Sequence, residues 1–508
     1  MSAARVAVVG AGISGLTAGW RLLAGARAAE APLELTVLEA EARAGGHAWT
    51  TREDGFLVEA GPNAVLDRAG EPHALALARE LGLASRLIEA RSAARRRYVL
   101  LGGRLRRVPD SPPALIGSDV LSIRGKLRLM LEPFVPRAPR DMEETVAAFA
   151  RRRLGAEATE VLVDSAVAGI SAGESRALSV AAAFPSLVEM ERRHGSLLRA
   201  MLARRERPSR LVSFDSGMAT LVDALRERLG GTLRTSAPVR SLAREGSGLR
   251  LLLADGGTIA ADRVILAVPA WRAAAIVRDL DPALGESLAA IPFAGLAMVA
   301  LAFRETSVPR PLDGYGYLVA RREQLETLGV VWESSLFEGR APQGAVLLRA
   351  MLGGARRPEV VMLPEPELIE RARRELAPVL GITEPPLRAW VRRWPAAIAQ
   401  YGPGHLERVR AARELGARLG LELCGTSYDG VSFQSAIASA NAAASSALAA
   451  LERLKPPVAR GSPLEPRAPA DRSEPSSREQ VASAWAGAPS SRSPPASRPR
   501  ASRSHRRE

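Results

Sequence analysis

Three glycines, Gly10, Gly12 and Gly15, stand between a short apolar run (RVAVV) and a helix-periodic run (ISGLTAGWRLL). In such a turn the first glycine permits a tight bend. The second lets backbone approach a pyrophosphate, and the third lets helix and strand pack closely. The helix N-terminus, with its free N–H groups and positive dipole end, then faces the phosphates. With Ala11, Ile13 and Ser14 between the glycines, residues 10–15 form a candidate pyrophosphate cradle. Glu39 ends the next strand-like run (LELTVLEAE), with Ala40 after it. An acid there can accept hydrogen bonds from ribose hydroxyls, and it disfavours a 2′-phosphate and hence NADP. The first turn does not separate NAD from FAD. Downstream, Gly45-Gly46-His47 follows Glu39 closely, then Thr50, then Glu59-Ala60-Gly61-Pro62-Asn63. Paired glycines let backbone lie against a second bulky group, where a simple NAD domain would proceed to another βαβ crossover.

Those motifs need a scaffold, and 508 residues suggest two or three domains. The chain is 47% hydrophobic with a formal charge of +15, which raises nucleic acid or an anionic membrane as partners. Arginines are scattered among acids and aromatics make up only 4%, which argues against nucleic acid, whose binders interleave basic patches with stacking aromatics. One cysteine, Cys424, excludes an internal disulfide and any cysteine-built metal cluster, and it suits a reducing cytoplasm. No signal peptide and no apolar run of about 20 residues is evident. No Ser-His-Asp order or metal-ligand spacing appears either.

Residues 5–41 read as a βαβ unit. Residues 91–209 mix basic residues, prolines and apolar clusters and read as a largely helical insertion. Strand and helix patterns return near residue 210, and residues 275–410 read as mixed α+β. LGLELCGTSYDGVSFQSAIASANAAASSALAALERL reads as strand, glycine turn and long helix. Beyond Pro456 the chain is dense in Pro, Ser and Arg, with ten arginines against five acids, and is expected to be disordered.

VLEAEARAGGHAWT resembles the flavin-containing amine oxidase superfamily, in which an acid is followed by a spacer, GG, a basic residue and Thr; GFLVEAGPN is similar to its next block. Further blocks resemble the oxygen-dependent, FAD-containing protoporphyrinogen oxidases: SAVAGISAGESRALSVAAAFPSLVEMERRHGSL, LVSFDSGMATLVDAL, GYGYLVARRE, LGVVWESSLF, MLGG, RRWPAAIAQYGPGH and CGTSYDGVSFQSAIASA. The blocks run in order from residue 5 to about 453. His47 replaces the commoner residue after GG, and Ala399 stands where the family usually has Pro.

The resemblance implies an α/β fold: a Rossmann-like FAD-binding domain (1–90, 210–274 and 411–455), a mixed α+β substrate domain (275–410), a helical insertion (91–209) that contacts a membrane, and the tail (456–508). It implies non-covalent FAD with Gly10, Gly12 and Gly15 at the pyrophosphate and Glu39 and Ala40 at the ribose. Gly45, Gly46 and His47 would line the ribityl and flavin end, and Gly61, Pro62, Asn63 and Ala64 the isoalloxazine. The backbone of Val239 would hold the adenine, Trp394 would stand near the flavin, and Val431, Ser432 and Phe433 would open the last helix toward it. Arg97 matches a propionate-facing position, with Arg95 or Arg96 as neighbours if the register slips; Gly169, Ile170, Leu318 and Met351 match apolar pocket walls. No residue is assigned as acid or base, because the flavin carries the redox chemistry. The implied reaction is oxidation of protoporphyrinogen IX to protoporphyrin IX with molecular oxygen as acceptor, in haem biosynthesis. Coproporphyrinogen III is the alternative substrate, and another flavin oxidase or desaturase the alternative class. Location is expected to be cytoplasmic, with peripheral contact at the cytoplasmic membrane face. An oligomer stays open.

Overall fold

The computed structural model describes residues 3–67, 73–139, 142–203 and 209–454; the expected disordered tail lies outside them. A five-stranded parallel sheet has the order Leu233–Arg234, Leu33–Leu38, Ala4–Val9, Arg263–Leu266, Leu421–Leu423. The central strand Ala4–Val9 is buried on both faces: Val6 and Val8 join one hydrophobic core, Ala7 and Val9 the other. Such double burial is why its sequence is nearly all apolar. Helix α1 (Ile13–Ala28) returns from this strand and packs beside Phe433–Leu454.

A second sheet has seven strands, in the order Arg388–Ala399, Phe293–Arg304, Ala345–Gly353, Thr327–Trp332, Gly316–Val319, Tyr98–Leu101, Arg104–Arg107. All neighbours are antiparallel except Gly316–Val319 beside Tyr98–Leu101. Alternation along Phe293–Arg304 divides its side chains between the two faces. Ala297, Val299, Leu301 and Phe303 face the core shared with helix Glu365–Leu380, whereas Leu296 and Met298 face Ala168 and Ala172.

The 91–209 stretch is helical only in part. It opens with the hairpin 98–107, which forms the edge of the seven-stranded sheet, turning at Gly102 and Gly103 with φ of +63° and +68°. The polar RLRR strand hides its alternation because it is an edge, where charged side chains protect unpaired backbone. Helices follow, held by a buried ion pair between Arg153 and Glu132 (2.9 Å). No helix among the described residues is long and apolar enough to cross a membrane.

Candidate active site

The glycine turn is tight at its two ends and open in its middle. Gly10 has φ +97°, and a Cβ there would meet Val268 at 2.7 Å. A Cβ on Gly15 would lie 1.7 Å from the Gly10 carbonyl oxygen. Gly12 differs: only the Cα of Gly46 comes near its missing Cβ, at 4.0 Å. Gly45 donates its N–H to the Ala11 carbonyl (2.7 Å), so the paired glycines lie directly against the turn. Gly12 caps α1 with no side-chain acceptor, and no acid sits in the first turn. The orphan N–H groups of that end, with the helix dipole, therefore point to an anion.

From this turn the candidate residues string out in both directions. Glu39 Oε2 accepts from the Ala11 N–H (2.7 Å) and Oε1 from the Glu41 N–H (3.0 Å), which fixes the carboxylate beside the turn. The Ala237 N–H donates to the Glu39 carbonyl, and Val239 opens the next strand; Ala40 is exposed. In the other direction the His47 ring stands edge-on to Trp394 at 4.6 Å. Trp394 Nε1 donates to the Ala60 carbonyl (2.8 Å), and a Cβ on Gly61 would lie 2.0 Å from the His47 carbonyl oxygen. Val239, Glu39, residues 10–15, 45–47, Trp394 and 60–61 thus form one continuous line, the shape an extended dinucleotide requires. Ser432 caps the last helix through the Ser435 N–H, and Phe433 is its first residue; Val431 packs in the core on the other side of the sheet.

The apolar candidates meet on the seven-stranded sheet. Leu318 pairs with Gly329 and Gly329 with Met351, placing Leu318 and Met351 in one cross-strand row. A Cβ on Gly169 would meet Leu318 at 2.3 Å. Met351 and Trp394 pack in one cluster with Ala168 and Leu328, which joins this wall to the glycine line. Ile170 is over half exposed. Arg97 is exposed beside Tyr315, 5.8 Å from its ring centroid, and has no ion pair among the described residues. Arg96 is tied to Asp313 at 2.7 Å, which Tyr98 also engages, so of these two arginines Arg97 is the free one.

A buried polar network underlies residues 59–64, and sequence reading missed it. Asn63 Nδ2 donates to the Glu333 carboxylate (3.1 Å), which pairs with Arg349 (2.6 Å). Arg349 Nη1 donates to the Gly61 carbonyl (2.6 Å). Ser213 Oγ donates to the Asn63 carbonyl and receives from the fully buried Arg340 (2.8 Å). Ala64 packs nearby against Leu336 and Phe337. These partners come from distant segments, so no local spacing announces them.

Glu59 accepts from Thr50 Oγ1 and the Met218 N–H, both at 2.7 Å, yet burial pushes its carboxyl up to about 7. The unfolded carboxyl titrates near 4.5. Between these values the folded state keeps a proton that the unfolded state has lost, so the group's contribution to stability falls as pH rises through 7. Glu59→Gln cannot titrate. Relative to wild type it is expected to gain about 2–3 kcal/mol between pH 5 and pH 8 in denaturant unfolding. An equal difference at the two pH values would refute the assignment.

The family model described as flavin containing amine oxidoreductase matches residues 13–448. Coproporphyrinogen III oxidase of Bacillus subtilis (strain 168) is 30% identical over 464 residues, covering 87% of this chain and 97% of that protein. Chloroplastic protoporphyrinogen oxidase of Nicotiana tabacum is 34% identical over 449 residues, 82% of this chain and 79% of that protein. A solved structure from Exiguobacterium sp. 255-15, provisionally assigned as a protoporphyrinogen oxidase, superposes with a TM-score of 0.76 at 27% identity, covering 88% and 99% of the two chains. With a family match over most of its length, the chain belongs to the flavin-containing amine oxidoreductases.

Proposed function

We propose that this chain is an FAD-dependent oxidase that converts protoporphyrinogen IX to protoporphyrin IX. The observation that carries the reading is the apolar row Leu318–Gly329–Met351, joined to Trp394 and the glycine line on one side and leading to Arg97 on the other. The relatives named for porphyrinogen oxidation support it.

The residues present fit a bound FAD: the middle of the turn leaves room where a Cβ on Gly12 would stand, and uncapped N–H groups await an anion. Residues 10–15 would hold the pyrophosphate, Glu39 and Ala40 the ribose, and Val239 the adenine. Residues 45–47, 61–64, Trp394, Ser432 and Phe433 would surround the flavin end, without a covalent bond, with Val431 offering its backbone only, because its side chain packs in the other core. A bound FAD would supply a hydride acceptor, with molecular oxygen as the terminal oxidant. The chain's own part is positioning. Leu318, Met351 and Gly169 give the macrocycle a dry wall, and the Arg97 guanidinium offers a propionate its two-pronged donor face. The Arg349–Glu333–Asn63 network fixes the 60–63 backbone. The pyrrole proton would leave to water.

We also propose peripheral attachment at a cytoplasmic membrane face. Ile123, Leu127, Met130 and Leu131 form one exposed helical stripe, joined by Ile116 (68% exposed) and Phe134 (78%), with Arg124 and Arg137 exposed nearby.

One preparation tests these readings. The purified protein is expected to show flavin absorbance and to form fluorescent porphyrin from protoporphyrinogen IX in air. Arg97→Ala should raise KM about 10- to 100-fold with the flavin spectrum retained. The protein should pellet with anionic vesicles at low salt; complete retention in the supernatant would remove the membrane reading. Bound flavin without porphyrin formation from proto- or coproporphyrinogen would reassign the chain to another flavin oxidase or desaturase. Coproporphyrinogen III is the second reading, favoured by a separate arginine-lined cavity beside the apolar wall.

A further inference from the structure

Beside the apolar wall lies a cavity of about 260 Å³, bordered by Ala168, Leu328 and Gly353 and lined by Arg321, Arg356 and Glu174. Ala168 and Leu328 also belong to the cluster that holds Met351 and Trp394, so the two spaces share walls. Charge in the cavity is unbalanced. Arg356 reaches Glu174 at 3.2 Å and Arg321 reaches the same carboxylate oxygen only at 3.9 Å. Arg357 also borders the space, while the one further carboxylate acting on Arg356, Asp164, is buried and engaged by Ser175. Arg321 Nη1 and Arg356 Nη2 are buried without a hydrogen-bond partner. Buried guanidinium donors are rarely left unsatisfied, and a planar two-oxygen anion is the group that matches them. Burial, and then the charge of Arg321, hold the Arg356 guanidinium below its usual range, a penalty that an incoming anion relieves.

The position of the cavity matters as much as its charge. The strand Gly316–Val319 runs parallel to Tyr98–Leu101 with Tyr317 opposite Tyr98, so Arg97 stands level with Gly316. Arg321 lies two residues past the other end of the same strand, which ends at Val319, so the two arginines stand at opposite ends of it. Leu318 lies between the two. A flat molecule resting on Leu318 therefore meets arginine at both edges. Protoporphyrinogen carries its two propionates on one edge; coproporphyrinogen carries four, one on each pyrrole, and so presents carboxylates at both.

We propose that Arg321 and Arg356 form a second carboxylate subsite, opposite Arg97, that engages the additional propionates of a four-propionate porphyrinogen and so extends the site beyond the two-propionate substrate. This rests on the porphyrinogen reading above. The test is fluorescence titration of the flavin-loaded protein with coproporphyrin III and protoporphyrin IX, paired with kcat/KM on the two porphyrinogens. Arg356→Gln and Arg321→Gln are each expected to weaken coproporphyrin binding about tenfold more than protoporphyrin binding, and to shift kcat/KM in the same ratio. Glu174→Gln removes the competing carboxylate and should tighten coproporphyrin binding severalfold. Arg97→Ala should weaken both. Equal effects of the Arg321 and Arg356 variants on the two ligands would overturn the subsite while leaving the porphyrinogen reading intact. Wild-type protein that binds neither porphyrin would overturn the porphyrinogen reading and the subsite with it. Inorganic phosphate bound by the wild type and lost in Arg356→Gln, with the porphyrin ratio unmoved, would assign the cavity to a free anion and overturn the proposal.

Discussion

Replacing Gly12 by Ala is expected to yield a folded protein that purifies without flavin, whereas Gly15→Ala is expected to lose flavin and stability together. The two glycines belong to one motif but have different surroundings. Gly12 has φ −68° and ψ 179°, extended backbone that alanine adopts freely, and its Cβ would enter open space. The apoprotein therefore has no reason to be destabilised, but the added methyl stands where backbone must approach the pyrophosphate. At Gly15 the Cβ would lie 1.7 Å from the Gly10 carbonyl oxygen and 3.2 Å from Ala267 Cβ. Backbone cannot swing aside as a side chain would, so α1 must lift from the strand end. Overpacking of this kind costs about 3 kcal/mol, the upper part of its usual range. Flavin absorbance relative to protein absorbance reads cofactor loading, and denaturant unfolding of the flavin-stripped proteins reads stability. Full flavin content in Gly12→Ala would refute the cradle. A Gly15→Ala apoprotein as stable as the stripped wild type would refute the packing role.

This contrast shows what the sequence makes legible. Strand, glycine turn and helix lie within 25 residues and each has a local period, so the turn could be read directly, and Glu39 with it. The expected function of each glycine follows from the motif; which of them tolerates a methyl follows from the folded turn, where the Gly10 carbonyl closes over Gly15 while only Gly46 Cα comes near Gly12. Leu318 and Met351 look like ordinary core residues on their own, and only pairing through Gly329 puts them in one row. The hairpin 98–107 was obscured because its outer strand is mostly arginine, although the Gly102-Gly103 pair marks its turn. Arg321, which opens a single 3-10 turn, and Arg356, in a turn after the next strand pair, are 35 residues apart, and nothing in their spacing suggests a shared cavity. Non-local pairing thus sets the limit on what a single sequence discloses, and it is also where polar chemistry becomes buried.

The buried network under residues 59–63 should give the largest stability loss of any single side chain in the site. Arg349→Met leaves the Glu333 carboxylate, 1% exposed, without its 2.6 Å partner, and leaves the Gly61 carbonyl without its donor. Removing one member of a buried ion pair costs about 3–5 kcal/mol, because the remaining charge stays desolvated. In a unit of this size that corresponds to a fall in melting temperature on the order of 4 °C. The penalty belongs to the stranded charge more than to the lost contact, so it should be partly reversible. Adding Glu333→Gln to Arg349→Met removes that charge while the new amide still accepts from Asn63 Nδ2, and it should recover more than half of the loss. Flavin retention should behave differently. It depends on the Arg349 donor that holds the Gly61 carbonyl, so it should fall in the single variant and stay low in the double. Stability and flavin loading that recover together in the double variant would show that Arg349 acts only by balancing charge, not by fixing the backbone at the flavin end.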